Sequence, residues 1–150
     1  MENKETAPDQ IISKTIHINA PASKVWAALT EPAILRAWMT EWEMDIISTW
    51  QSGTPLIIRG NLHGIPYENK GVILQSEPAS VLQYTYWSSL SQHADIPENY
   101  SLITFRFSSS GNTTTLTFTQ TNFQTDVIYK HFNFYWNTAL ELMKKVAESL

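Results

Sequence analysis

Apolar residues at helical spacing run through the last part of the chain, from Thr125 to Leu150. Thr125 or Asp126 can accept hydrogen bonds from the first free N–H groups of a helix, and neither Gly nor Pro follows Val127. The apolar positions recur in steps of three and four, which places them on one side of a helix: Ile128, Phe132, Tyr135, Trp136, Ala139, Leu142, Met143, Val146 and Leu150. A helix of ~25 residues extends for roughly 37 Å, so it needs an equally long apolar surface to cover this stripe.

Alternating apolar and polar positions predict a series of β-strands before this helix. In the first strand Ile12, Ile16 and Ile18 share one face, and mostly polar residues occupy the other. Short turns separate the later strands, so neighbouring strands are expected to pair antiparallel. The predicted strands cover 11–18, a short part of 39–50, then 55–63, 67–76, 81–87, 101–107 and 113–120.

Two short amphipathic helices are predicted after the first strand. Pro21 ends that strand, Ser23 is the expected N-cap of the first helix, and Pro32 begins the second. Their inner faces hold Val25, Trp26 and Leu29 in the first helix and Ile34, Leu35 and Trp38 in the second. We therefore predict an α+β fold, in which a curved antiparallel sheet of six to seven strands surrounds the long C-terminal helix.

The last two predicted strands form a hairpin that turns at residues 108–112. Its inner parity places Ile103, Phe105 and Phe107 opposite Leu116 and Phe118, whereas threonines occupy the outer face. The longest stretch without a pattern, 88–99, precedes this hairpin. It is either a loop that covers a binding site or a solvated connection.

Length and charge narrow the range of functions. We expect residues 1–9 to form a flexible leader and residues 10–150 to form a single domain. The chain has no cysteine, and its formal net charge of −4 argues against a nucleic acid or an anionic membrane surface as partner. No apolar run reaches the ~20 residues that span a bilayer, so we expect a cytoplasmic protein without membrane insertion.

Candidate catalytic and metal-binding groups are few. The four histidines lack a ligand-like spacing such as an i, i+4 pair, and no Gly-rich loop precedes a helix. Glu41, Glu43 and Asp45 fit a solvated strand edge better than an acid–base pair. We expect no catalytic residue, no metal and no cofactor.

The run from Ile16 to Pro32, with Leu35 and Trp38 after it, resembles the opening of START-like, helix-grip proteins. More closely, it resembles the branch related to the activator of the heat-shock-protein-ninety ATPase. The later segments agree in order: Gly71–Leu74 with Glu77 and Pro78, Leu82–Tyr86, Thr114–Phe118 and Trp136. The resemblance implies a helix-grip fold with a deep cavity between the sheet and the C-terminal helix. Relatives include carriers of hydrophobic molecules, polyketide cyclases and co-chaperone domains, so the fold alone does not give the function.

We predict that the chain binds a hydrophobic small molecule, lipid-like or aromatic, rather than acting as an enzyme. The 6 Trp, 6 Tyr and 6 Phe fit either a well-filled core or a pocket lined by rings. The loops at 38–42 and 88–99 would gate the pocket. Its candidate ligand-binding residues are Trp38, Trp42, Leu82, Tyr84, Tyr86, Phe105, Phe118, Phe132, Tyr135 and Trp136.

Two alternative functions follow from the resemblance. One is a domain that binds a protein partner such as a chaperone, with a role in the stress response. The other is a cyclase-type enzyme, which needs a positioned acid or base.

The register of the strand at 55–63 decides whether two polar side chains face the cavity. If Leu56 and Ile58 face the helix, Arg59 and His63 are solvent groups, and we favour this register. A slip of one residue would place both in the cavity instead.

Overall fold

The computed structural model describes residues 7–39 and 44–150, with side chains described from Gln10 onward. The strands are β1 (Ala7–Ile18), β2 (Met44–Ile47), β3 (Pro55–Leu62), β4 (Ile65–Glu77), β5 (Val81–Ser88), β6 (Ser101–Ser110) and β7 (Thr113–Phe123). The helices are α1 (Ala22–Thr30), α2 (Pro32–Met39) and α3 (Asp126–Ser149). Two single-turn 3₁₀ helices, Ser89–Ser91 and Pro97–Asn99, lie between β5 and β6.

The seven strands form one sheet in the order β1-β7-β6-β5-β4-β3-β2. Every neighbouring pair is antiparallel. Strands β2 to β7 follow one another as a meander, whereas β1 pairs with the last strand, with Ile16 opposite Leu116. The α+β architecture, with two short helices after the first strand, confirms the predicted fold class.

The first strand begins earlier than the sequence pattern predicts. Strand β1 starts at Ala7, opposite Phe123 of β7, so residues 7–9 of the expected leader have strand backbone. The register shifts between Ala7 and Ile11, which marks an irregularity in this edge strand.

Two other local predictions are wrong in their details. Helix α1 is preceded by Pro21 rather than capped by Ser23, and no side chain caps it. The extended backbone of Pro21 leads directly into the first turn, where Lys24 N–H bonds the Pro21 carbonyl at 3.0 Å. The hairpin turn holds only Gly111 and Asn112, since β6 and β7 continue to within two residues of each other. Gly111 has a φ of 61°, which favours glycine.

Helix α3 packs along the inner face of the sheet, as its apolar stripe predicts. Thr125 Oγ1 accepts a hydrogen bond from the Ile128 N–H at 3.1 Å, which confirms the predicted N-cap. Leu142 was expected on the stripe but is 42% exposed, because the buried face follows a slightly different line along the helix. That buried face consists of Trp136, Ala139, Leu140, Met143 and Ala147.

The predicted inner parity of the strands forms the core. Ile103 and Phe105 on β6 and Leu116 and Phe118 on β7 are buried, together with Ile12, Ile16 and Ile18 on β1. Phe107 is half-buried and packs on Trp26 of α1, with ring centroids 5.8 Å apart.

Strand β4 approaches β5 very closely at Gly71. A Cβ at this position would lie 1.7 Å from the Thr85 carbonyl oxygen, and Val72 N–H bonds Thr85 Oγ1 at 2.9 Å. A register shift follows between Ile73 and Gln75. Bulges bend a strand and increase its twist, so this region divides β4 into two halves. The first half carries residues of the candidate site.

Candidate functional site

A cavity of about 640 Å³ lies between the sheet and the first half of α3. Strands β3 to β6 supply one wall, and α3 supplies the opposite wall from Val127 to Trp136. The ends of α2 and β2 and the segment between β5 and β6 complete the lining. The predicted cavity is therefore present in the part of the chain that the structure describes.

Five of the predicted ligand-binding residues line this cavity. They are Tyr84 and Tyr86 on β5 and Phe132, Tyr135 and Trp136 on α3. The rings of Tyr86 and Phe132 meet edge to face across the cavity, with centroids 5.7 Å apart. Sequence parity on β5 and helical spacing on α3 thus identify facing walls.

Four other predicted residues lie in the core beside the cavity rather than on its wall. Trp38 is 3% exposed, and its Nε1–H bonds the Ala28 carbonyl at 2.8 Å. Phe105 and Phe118 pack on each other and on Trp136. Leu82 is buried near the start of β5. Trp38 and Phe105 border a separate space of about 10 Å³.

The remaining predicted residue, Trp42, lies outside the described residues, as do Glu41 and Glu43 of the acidic cluster. The third acid of that cluster, Asp45, is exposed on β2 opposite Arg59.

Four tyrosines, Tyr67, Tyr84, Tyr86 and Tyr135, contribute to the wall. Burial raises the pKa of all four hydroxyls, and it raises the pKa of Tyr135 to about 12. Each hydroxyl therefore stays protonated at neutral pH. The Tyr135 hydroxyl donates to the Met39 carbonyl at 3.1 Å, which holds α3 against the end of α2.

Two amide side chains on the wall have buried atoms without a hydrogen-bond partner. These atoms are Oδ1 of Asn69 on β4 and Nε2 of Gln124, which precedes α3. Leaving a buried polar atom unpaired costs about 1–3 kcal/mol, so a hydrogen bond from a ligand to either atom would be stabilising. Neither amide was among the predicted site residues, although Asn69 shares its strand parity with Tyr67 and Ile73.

The segment between β5 and β6 forms one rim of the cavity. Leu90, Ser91 and Asn99 of this segment lie on the wall. Trp87 Nε1–H bonds the His93 carbonyl at 3.2 Å, and Lys70 on β4 forms an ion pair with Asp95. These contacts attach the segment to the sheet, so it takes part in the site and is more than a solvated connection.

The register of β3 agrees with the one we favoured. Leu56 and Ile58 are buried, whereas Arg59 is exposed and pairs with Glu68 at 2.9 Å. His63 lies in the turn after β3 with a φ of 53° and is exposed. Neither Arg59 nor His63 lines the cavity.

Within 7–39 and 44–150, no group of three or more His, Asp or Glu side chains is arranged to hold a metal ion. No helix in this part of the chain is long and apolar enough to cross a membrane.

Several solved structures resemble the chain over nearly its whole length. The solution structure of ChR145 from Cytophaga hutchinsonii is 36% identical, with a TM-score of 0.81, covering 95% of this chain and 97% of its own. The Aha1 dimer from Colwellia psychrerythraea is 23% identical, with a TM-score of 0.71 and coverage of 93% and 96%. CalU16 from Micromonospora echinospora is 20% identical, with a TM-score of 0.67 and coverage of 95% and 82%. The last two similarities show the fold alone.

No curated protein matches the sequence. A family model described as "Activator of Hsp90 ATPase homolog 1-like protein" matches residues 19–148, from the end of β1 to the last turn of α3. This match covers most of the chain, including every element that lines the cavity. The chain belongs to the Activator of Hsp90 ATPase homolog 1-like family, with the helix-grip fold that its sequence motifs indicated.

Proposed function

We propose that the protein binds a hydrophobic small molecule, lipid-like or aromatic, in the cavity between the sheet and α3, without transforming it. The observation that carries this proposal is the cavity volume of about 640 Å³. Small-molecule sites typically measure ~300–1,000 Å³ and combine apolar walls with a few polar groups. The aromatic rings, tyrosine hydroxyls and amides of this wall fit that description.

Burial of apolar surface would supply most of the binding free energy. A ligand that loses ~300 Å² of apolar surface to the wall gains roughly 7 kcal/mol, before ordering costs are subtracted. The packed ring of Trp136, 4.3 Å from Phe118 between centroids, limits how much the wall has to reorganise. A wall that is already ordered loses less free energy on binding.

Most titratable groups of the wall support binding rather than catalysis. A cyclase-type enzyme needs a group that exchanges a proton near neutral pH. Burial raises the pKa of the wall tyrosines away from that range, and no Asp or Glu is among the described wall residues. The remaining titratable group of the described wall, His131, is exposed and packs on Phe132.

A thermal-shift screen against sterols, flavonoids, fatty acids and long-chain alcohols and amides tests the proposal. A ligand present at a hundredfold excess over its Kd stabilises the fold by about 2.7 kcal/mol. For a chain of this size the expected rise in Tm is roughly 5–10 °C.

Two variants of α3 show whether a bound compound occupies the cavity. Phe132→Leu removes a ring from the wall and should weaken binding. Tyr129→Leu is the matched control, since Tyr129 lies one turn earlier and packs on Phe123 outside the wall. Equal loss in both variants would place the ligand elsewhere. If no compound class shifts Tm or perturbs NMR signals of the wall, the proposal fails, and pull-downs for a protein partner become the next test.

A further inference from the structure

The described wall of the cavity carries no Lys, Arg, Asp or Glu side chain. Its polar side-chain groups are tyrosine and serine hydroxyls, the indole N–H groups of Trp87 and Trp136, the amides of Asn69, Asn99 and Gln124, and the imidazole of His131. A ligand carboxylate that left water for this wall would meet no cation in it, and burying an unpaired charge is strongly unfavourable.

Two cations that neighbour wall residues in the sequence have carboxylate partners. Lys70 forms an ion pair with Asp95 and lies 5.7 Å from the centroid of the Trp87 ring. Lys130, on the turn of α3 beside His131, lies 2.9 Å from Asp126. These pairs are close to electrically neutral, so they offer little attraction to an anionic ligand.

The wall does offer both kinds of neutral hydrogen-bonding group. Asn69 Oδ1 is a buried acceptor without a partner, and Gln124 Nε2 is a buried donor without one. Asn69 lies on β4, and Gln124 lies in the link between β7 and α3. A ligand that carries a donor and an acceptor would remove the desolvation cost of both atoms once each amide turned toward the cavity.

From these observations we infer that the cavity selects an uncharged amphiphile, an apolar body carrying hydrogen-bond donor and acceptor groups, and rejects carboxylates such as fatty-acid anions. This inference rests on the proposed binding function and names the chemical class of its ligand. A primary amide, an alcohol or a phenol fits the class.

Matched probe pairs test the selection by charge. Dodecanamide is compared with dodecanoate, and 2-naphthamide with 2-naphthoate, because each pair differs only in an amide NH₂ that replaces a carboxylate oxygen. Titrations by NMR and calorimetry at about pH 8 keep the carboxylate probes ionised. We expect the amide of each pair to bind at least about tenfold more tightly.

One substitution should reverse this preference. Gln124→Lys places an ammonium group beside the cavity, so it should favour the carboxylate probes and weaken the amides. Gln51→Lys is the control, since it adds the same charge at an exposed position outside the wall and should leave the ratio unchanged. If Gln124→Lys does not fold, Asn69→Asp serves instead and should widen the preference for the amides.

The outcomes of these experiments distinguish the inference about ligand charge from the proposed binding function. Equal or tighter binding of the carboxylates by the unmodified protein would overturn the inference and leave the binding function in place. The inference is also overturned, and the binding function stays in place, if Gln51→Lys changes the ratio of amide to carboxylate affinity as much as Gln124→Lys does. Long-range charge would then explain the preference. If neither member of either pair binds, while the wider screen also gives no ligand, both the inference and the proposed function fail.

Discussion

The buried contact between Gln120 and Trp136 allows a prediction about stability to be worked out from the structure. Gln120 is fully buried on β7, and its Oε1 accepts a hydrogen bond from Trp136 Nε1 at 2.9 Å. Its Nε2 has no partner. Trp136→Phe would therefore leave both ends of the Gln120 amide unpaired in the core, in addition to shrinking a packed ring.

The expected loss of stability in Trp136→Phe has two parts. An acceptor left unpaired costs about 1–3 kcal/mol, and the lost ring volume adds about 1–2 kcal/mol. We expect Trp136→Phe to lower the free energy of unfolding by about 3 kcal/mol. Gln120→Met alone should change the free energy of unfolding by less than about 1 kcal/mol. This substitution removes the unpaired Nε2 donor of Gln120, but it also leaves the indole N–H of Trp136 without an acceptor.

The double variant, which combines Trp136→Phe with Gln120→Met, provides the decisive comparison. It has no buried polar side-chain atom left at this contact, so we expect it to be more stable than Trp136→Phe alone by about 1–3 kcal/mol. Urea unfolding followed by circular dichroism measures all four proteins, and constant m-values show that the comparison is valid. If the two single effects add to within about 0.5 kcal/mol, the hydrogen-bond reasoning is wrong.

Three further predictions concern the backbone, a helix cap and pH. Gly71→Ala should lower the free energy of unfolding by about 3 kcal/mol or more, because the new Cβ would meet the Thr85 carbonyl. A Cβ added at Gly60 would instead meet the movable side chain of Tyr67. Thermal unfolding of Gly71→Ala and Gly60→Ala tests this difference. Thr125→Ala should cost about 1 kcal/mol through loss of the N-cap bond, measured by urea unfolding, and an unchanged stability would contradict the assigned cap. Burial raises the pKa of Tyr135 from 10.0 to about 12, so the folded state keeps a proton that the unfolded chain loses. The resulting stability is fully present below about pH 10 and is lost as the pH rises toward 12. Urea unfolding midpoints measured across this pH range should therefore decline less steeply in Tyr135→Phe.

Sequence patterns identified which residues face inward, because burial on one side of a strand or helix imposes a period of 2 or 3.6. Tyr84, Tyr86, Phe132 and Tyr135 were found in this way. The patterns gave no information about distance along a strand. Leu82 shares the parity of Tyr84, but it lies near the other end of β5, where it is buried in the core and does not line the cavity.

The amides of the wall were missed for a different reason. A polar residue at an inward position of a short strand segment, such as Asn69, has the same sequence signature as a residue on a solvated edge. Gln124 lies in the link before α3, where no periodicity applies. Their common property, a buried atom without a partner, is defined only by the surrounding three-dimensional structure.

The pairing of β1 with β7 also has a consequence for folding during synthesis. Ile16 of β1 meets Leu116 of β7, so the first strand waits for a partner made roughly a hundred residues later. At ~5–20 residues per second, an apolar strand therefore stays unpaired on the nascent chain for roughly 5–20 s. Contacts of such long sequence separation also slow folding after release. This topology sets the length of time during which β1 can pair with a wrong strand or needs a chaperone to cover it.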